Sequence, residues 1–350
     1  MRLHLALFIC IAGGTHGQQT QTKPHAVPTA ETVETNLAGV RALLPPPRAF
    51  DPSKASDVDL ARYGLPPRPD PLKSPQVFAS WKRWVEASTY RIVPQLKQTE
   101  VYHGPAKHLS IGKPIAAGPT PATSSNWSGF VITDPANIFN QVGGYVQGTF
   151  VVPKGLTCVV AADYHSSNWV GIDGLGTSDV FQLGTSTDVN CYAGAEAHYA
   201  WIEWYPSPSS MVTNLTVEAG DIVTVSAAAT PAQNRFEVNY ANWSTRQSMD
   251  LLMTPPPGTH LVGNCIEWIV ERPDIDGATS NLTPFFLNSW TAMDGFFQQG
   301  NALLHYRPSA PPTGVSYLLT MTSGTTKLAS VTLYPGQFDD SGLFQSFPNK

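Results

Sequence analysis

Hydrophobic and polar positions alternate over short runs through most of this chain. The alternation is sharpest in Asn264–Arg272, NCIEWIVER. As a strand this stretch has two faces. Ile266, Trp268 and Val270 form one, and Cys265, Glu267, Ile269 and Glu271 the other. Three more stretches share the pattern. In Asp179–Thr185, DVFQLGT, Phe181 and Leu183 oppose Val180, Gln182 and Gly184. In Asn168–Gly174, NWVGIDG, Val170 and Ile172 oppose Trp169, Gly171 and Asp173. In His198–Pro206, HYAWIEWYP, Ala200, Ile202 and Trp204 oppose Tyr199, Trp201, Glu203 and Tyr205. Other β-type runs are Gly144–Val152, Asn214–Val217, Ile222–Ala228, Phe236–Tyr240, Tyr317–Met321 and Ala329–Leu333, separated by Gly, Pro, Asn and Ser clusters. No helical period of useful length follows Thr123. The pattern predicts an all-β fold, an antiparallel β-sandwich filling residues 121–350 as one domain.

Upstream the texture differs. Residues 18–72 are rich in Pro, Ala and polar residues, which favours extended, poorly packed chain. Residues 74–92 repeat Val77, Trp81, Trp84 and Val85 at helical spacing, with Ser74-Pro75 as N-cap and first position, so one amphipathic helix is expected there. Residues 104–122 are linker-like. Residues 1–17 join Arg2, an apolar run Leu5–Ala12 and small residues, the pattern of a secretory signal. The expected organisation is signal peptide 1–17, propeptide and linker 18–120, and β-sandwich domain 121–350, in a secreted protein.

Charge sharpens this division. Residues 18–120 carry 13 Lys+Arg against 8 Asp+Glu, a net of +5, whereas residues 121–350 carry 7 against 18, a net of −11. Two such parts attract at neutral pH, and protonating carboxylates weakens the attraction. Nothing in the charge pattern points to nucleic acid, and no internal stretch is apolar enough to span a membrane. Once Cys10 leaves with the signal, Cys158, Cys191 and Cys265 allow one disulfide and one free thiol, with the pairing open. There is no CxxC, and the histidines lack metal-ligand spacing, so neither metal nor cofactor is expected. Four sequons occur, at Asn126, Asn214, Asn242 and Asn281.

The outward set on the four strands is Trp169, Asp173, Gln182, Trp201, Glu203, Glu267 and Glu271. On one curved sheet it would line a cleft, with aromatics for contact area and carboxylates for chemistry. These motifs resemble those of the glutamic peptidases, or eqolisins, secreted acid endopeptidases. Ser125–Gly129, SNWSG, is similar to their N-terminal signature. WVGIDG at Trp169–Gly174 is a near-exact family motif. Phe181–Gly184, Ala200–Pro206 and Glu267–Glu271 match three more in order. The resemblance implies a concanavalin A-like sandwich of two curved sheets. It also implies Gln182 and Glu271 as the catalytic pair, and Trp127, Trp169, Asp173 and Glu203 as cleft-lining, substrate-binding residues. It further implies a pepstatin-insensitive monomer acting on proteins and peptides, and kept as a zymogen by its own propeptide. The chain departs from the family where an Asp often follows the catalytic Gln; here Ser186 stands, with Asp188 two residues on. It departs again at His198-Tyr199, where an acid often precedes the AW motif, and in its cysteine positions. These departures bear on the hydrogen bonds around the pair and on the pH optimum.

Other hydrolases fit less well. No G-x-S-x-G elbow occurs, and the aspartic-protease triplet Asp340-Ser341-Gly342 stands alone near the C-terminus. A lectin-like glycoside hydrolase or carbohydrate-binding protein is the main alternative. Glu267 and Glu271 lie about 13 Å apart along one strand, beyond the roughly 5–9.5 Å that glycosidases use. Glu203 would have to pair with Glu271 instead.

Overall fold

The computed structural model describes residues 30–87, 90–116, 118–141, 143–156, 160–230, 235–299, 302–337 and 339–347. The signal region, Cys10 and Cys158 lie outside the described residues. The chain divides into two compact units, residues 1–33 with 43–88, and residues 34–42 with 89–350.

The smaller unit contains two helices, α1 (Asp57–Arg62) and α2 (Pro75–Ala87). Ser56 caps α1 by accepting the Asp59 backbone N–H, leaving Leu60 on the buried side. Leu60, Trp81 and Val85 form a small core, with Phe50, Leu65 and Phe78 against it. Trp81 also donates its indole N–H to the Pro66 carbonyl, 3.1 Å away. The helix predicted for residues 74–92 is therefore present, beginning at Pro75. Its apolar face is consumed within its own unit, except that Val77 is 58% exposed; the Trp84 side chain lies outside the described set. Residues 43–72 are better packed than Pro-rich sequence suggests, because α1 and the Trp81 side chain give them something to bury.

The larger unit is the predicted β-sandwich. Its main strands are β1 (Trp127–Thr133), β2 (Gly144–Val151), β3 (Asp163–Ile172), β4 (Val180–Asn190), β5 (Ala195–Tyr205), β6 (Ile222–Thr230) and β7 (Arg235–Asn242). They continue as β8 (Gln247–Met253), β9 (Cys265–Glu271), β10 (Asn288–Gln299), β11 (Val315–Ser323), β12 (Thr326–Tyr334) and β13 (Asp340–Ser346). One layer runs β11–β1–β9–β3–β4–β5, antiparallel throughout. The other runs β12–β13–β10–β2–β6–β7–β8. The β11–β12 hairpin joins them.

The apolar rows read from sequence form the seam between layers. Phe181 and Trp204 meet Phe236 at ring distances of 5.4 and 4.6 Å. The Trp268 indole donates to the Gln147 carbonyl at 2.6 Å. Close approach of the layers needs Gly148, where an added Cβ would lie 2.7 Å from the Trp290 ring. Asn214–Val217, expected as a strand, is a turn. The Asn214 side chain accepts the Gln95 N–H and donates to the Val93 carbonyl, which competes with a sheet ladder. Cys191 is disulfide-bonded and Cys265 is a buried free thiol. No described helix is long and apolar enough to cross a membrane.

Candidate active site

The second face of the β11–β5 layer carries the predicted outward set except Asp173, aligned in three cross-strand rows. The first row is Trp127, Glu271, Ser167, Ser186 and Tyr199. The second is Gly129, Ile269, Trp169, Gly184 and Trp201. The third is Val131, Glu267, Gly171, Gln182 and Glu203. Gln182 and Glu271 thus share a face, with β3 between their strands. In flat-sheet terms their α-carbons lie about 13 Å apart along the strands and about 10 Å across them. Gly184 lets Trp169 lie flat between them. A Cβ there would sit 2.2 Å from the Asn168 carbonyl oxygen and 2.6 Å from the Trp169 Cβ. Gly184→Ala is expected to cost about 1–3 kcal/mol or more of stability, read from the denaturant midpoint.

This face is not open to solvent as expected. Gln182 is 0% exposed and Glu271 1%, because the chain's own residues 101–107 lie in the gap. The Gln182 side-chain amide donates to the His103 carbonyl. The Trp127 indole donates to the Gly104 carbonyl at 3.1 Å, and Asn126 Nδ2 to the Pro105 carbonyl at 3.1 Å. The Ala106 N–H donates to the Gly174 carbonyl at 3.1 Å, and Lys107 pairs with Asp274. What occupies the cleft is therefore the stretch just before and into the linker.

Glu271 is held by two donors, Trp169 Nε1 on Oε2 at 2.9 Å and Asn126 Nδ2 on Oε1 at 3.1 Å. Burial nevertheless pushes its carboxyl well above the usual range, against the lowering effect of these hydrogen bonds. Burial raises Glu267 likewise, with the charge of Asp173 adding to it. Gln182 Oε1 has no protein partner among the described residues, so it can accept from a water. Glu203 holds His103: the His103 backbone N–H donates to both carboxyl oxygens, at 3.1 and 3.0 Å, and ring Nδ1 lies 2.6 Å from Oε2. Burial raises Glu203 and lowers His103, so the pair shares one proton.

Asp173 departs from the expected set. Its φ of +72° ends the alternation at Ile172. Its carboxylate accepts the backbone N–H groups of Val262, Gly263 and Asn264 at 2.5–3.0 Å, so it anchors that loop rather than lining the cleft. Burial raises it to about 6. Alternation also missed His103, Asn126 and Ser167. Asn126 was visible only as part of SNWSG and as a sequon, yet it is buried against Glu271; Asn242 is buried too, whereas Asn214 and Asn281 are exposed. Asp340 of the lone triplet accepts from Ser309 and Gly336 and is structural.

The family model described as Peptidase A4 family matches residues 125–338. The chain belongs to that family. Its motif order, Trp127 through Glu271, lies inside the matched span. The chain is 34% identical to Aspergillopepsin-2 of Aspergillus niger over 168 residues, covering 42% of this chain and 56% of that protein. It is 29% identical to Scytalidopepsin B of Scytalidium lignicola over 157 residues, covering 45% and 54%. The chain thus spans about half the length of these curated relatives. A crystal structure of scytalido-glutamic peptidase with a transition state analog inhibitor superposes with a TM-score of 0.48 at 17% identity, covering 64% of this chain and 98% of that one.

Proposed function

We propose that this Peptidase A4 member is a secreted acid endopeptidase that hydrolyses proteins with Gln182 and Glu271 as its catalytic pair and an activated water. The observation that carries this reading is the His103 carbonyl in the gap, taken by the Gln182 amide. A peptide backbone is held where the chemistry would occur. Peptide hydrolysis needs an activated water, a donor for the oxyanion and a proton for the leaving amine. Glu271, once ionised, takes the proton of the attacking water. The Gln182 N–H then donates to the developing oxyanion, a contribution of roughly 3–4 kcal/mol. Protonated Glu271 returns the proton to the departing nitrogen. An amide suits Gln182 because its donor does not titrate at any working pH. Trp127, Trp169, Trp201 and Glu203 shape the cleft around the substrate.

The leader, residues 18–120, holds the enzyme closed as a zymogen, with residues 101–107 in the cleft. The test is hydrolysis of an acid-denatured protein at about pH 3–4 with and without pepstatin. Cleavage that pepstatin does not slow is expected. Cleavage abolished by pepstatin, or none at acid pH, would reject the proposal.

A further inference from the structure

Residues 101–107 are seated across the candidate dyad as a substrate would be, clamped on both sides. Upstream, the Val101 carbonyl accepts the Ser209 N–H at 3.0 Å. Downstream, the carbonyls of Gly104 and Pro105 are held by Trp127 and Asn126. Asn126 Nδ2 donates to both Glu271 and the Pro105 carbonyl, so Glu271 stands by the segment downstream of His103. Gln182 sits at the oxygen of the His103 carbonyl.

The His103 side chain is equally defined. It is fully buried, and its ring stacks on Trp201 with centroids 3.7 Å apart and an interplanar angle of 1°. Both ring nitrogens have partners, Nδ1 on Glu203 and Nε2 on Ser167 Oγ at 2.8 Å, and Ser167 is tied to Ser186 at 2.8 Å. Ser186 is the residue standing where the family often has Asp.

We propose that the His103–Gly104 bond is this chain's own maturation cleavage site, and that Trp201, Glu203 and Ser167 form a pocket that recognises the imidazole preceding the cut. The proposal rests on the Gln182/Glu271 reading. One solvent water adds its oxygen to the His103 carbonyl carbon and the C–N bond to Gly104 breaks. One water proton reaches Gly104 nitrogen through Glu271. The products are a leader ending in the His103 carboxyl and a domain beginning with the Gly104 amine. An apolar side chain in place of His103 would take away the ring partners of Glu203 Oε2 and Ser167 Oγ inside a fully buried pocket, a penalty that discriminates strongly.

The same contacts make docking of the segment over both dyad side chains depend on pH. Docked, the His103–Glu203 pair holds one proton. Separated, with ordinary values of 6.5 and 4.5, the two groups hold two protons below about pH 4.5 and none above about 6.5. Docking is therefore tightest between those values and weakens about tenfold per pH unit below them. Glu271, which acts electrostatically on Glu203, opposes this only down to its own ordinary 4.5. Tyr205, the other titratable group influenced by Glu203, has its pKa raised and stays neutral.

The full-length precursor is brought to about pH 3.5 and about pH 5.5 and its new N-termini are read by mass spectrometry. Gly104 is expected as the new N-terminus. His103→Leu is expected to slow this cut at least about tenfold. A synthetic peptide Val-Tyr-His-Gly-Pro-Ala-Lys, offered to the processed enzyme, is expected to be cut after His, with kcat/KM at least about tenfold above its His→Leu version; this reports on the pocket even if the protein variant misfolds. Absence of processing, processing without a Gly104 terminus, or indifference to the His→Leu change in both assays overturns the proposal. A Glu271→Gln precursor that still yields Gly104 at the wild-type rate would instead remove the dyad reading and leave the cleavage position standing.

Discussion

Replacing Glu271 by Gln is expected to lower kcat for peptide hydrolysis by about 10⁴-fold while the sandwich stays folded. Glu271 carries both proton transfers in the mechanism, so an amide that can neither accept nor release a proton removes both. The fold should survive because burial already favours the uncharged form at this position. Gln is isosteric, and its carbonyl can still accept from Trp169 or Asn126. Circular dichroism checks folding and steady-state hydrolysis of a peptide checks the rate. A folded Glu271→Gln enzyme with near-normal turnover contradicts the assignment.

The precursor is also expected to become more stable as pH falls from 7 to about 5. Burial raises Asp173 to about 6, and raises Glu203, Glu267 and Glu271 well above their ordinary 4.5. A carboxyl whose folded pKa exceeds its unfolded value binds more protons folded than unfolded between the two. Its contribution therefore grows as pH falls toward the unfolded pKa and is lost as pH rises through the folded one. Histidines work against this below 6.5, because burial lowers His103 strongly and His198 and His305 less. Four raised carboxyls outweigh them over this window, at about 1.4 kcal/mol per pH unit for each net proton. Thermal unfolding midpoints between pH 7 and 5 provide the check. A midpoint that falls on acidification would mean these carboxyls are ionised and paired, not buried and neutral.

Alternation exposed the architecture and much of the site because period-two patterning is local. EWIVE, WVGI, FQLG and AWIEWYP each put their two faces where the strands place them, and Gln182, Glu203 and Glu271 were legible from those faces together with the resemblance. Asp173 was misplaced because one left-handed residue breaks the period without leaving a local signal. The openness of the cleft was misjudged for a different reason. His103 reaches Glu203 from 100 residues away and Gln182 from 79, and VYHGPAK has no periodicity to announce such a contact. The helix at Pro75–Ala87 was legible at 3.6-residue spacing. That its apolar face would be spent on Leu60 was not, since α1 is six residues long and buries only Leu60.

The central claim is that Gln182 and Glu271 act as one catalytic unit. It is tested most directly by a double-mutant cycle, measuring kcat on one peptide substrate at acid pH for the processed wild type, Gln182→Ala, Glu271→Gln and the double variant. Residues that act as a unit are non-additive. The expected losses are about 10²–10³ for Gln182→Ala, about 10⁴ for Glu271→Gln, and no more for the double variant than for Glu271→Gln alone. Losses that multiply, or a folded single variant with wild-type turnover, would contradict it.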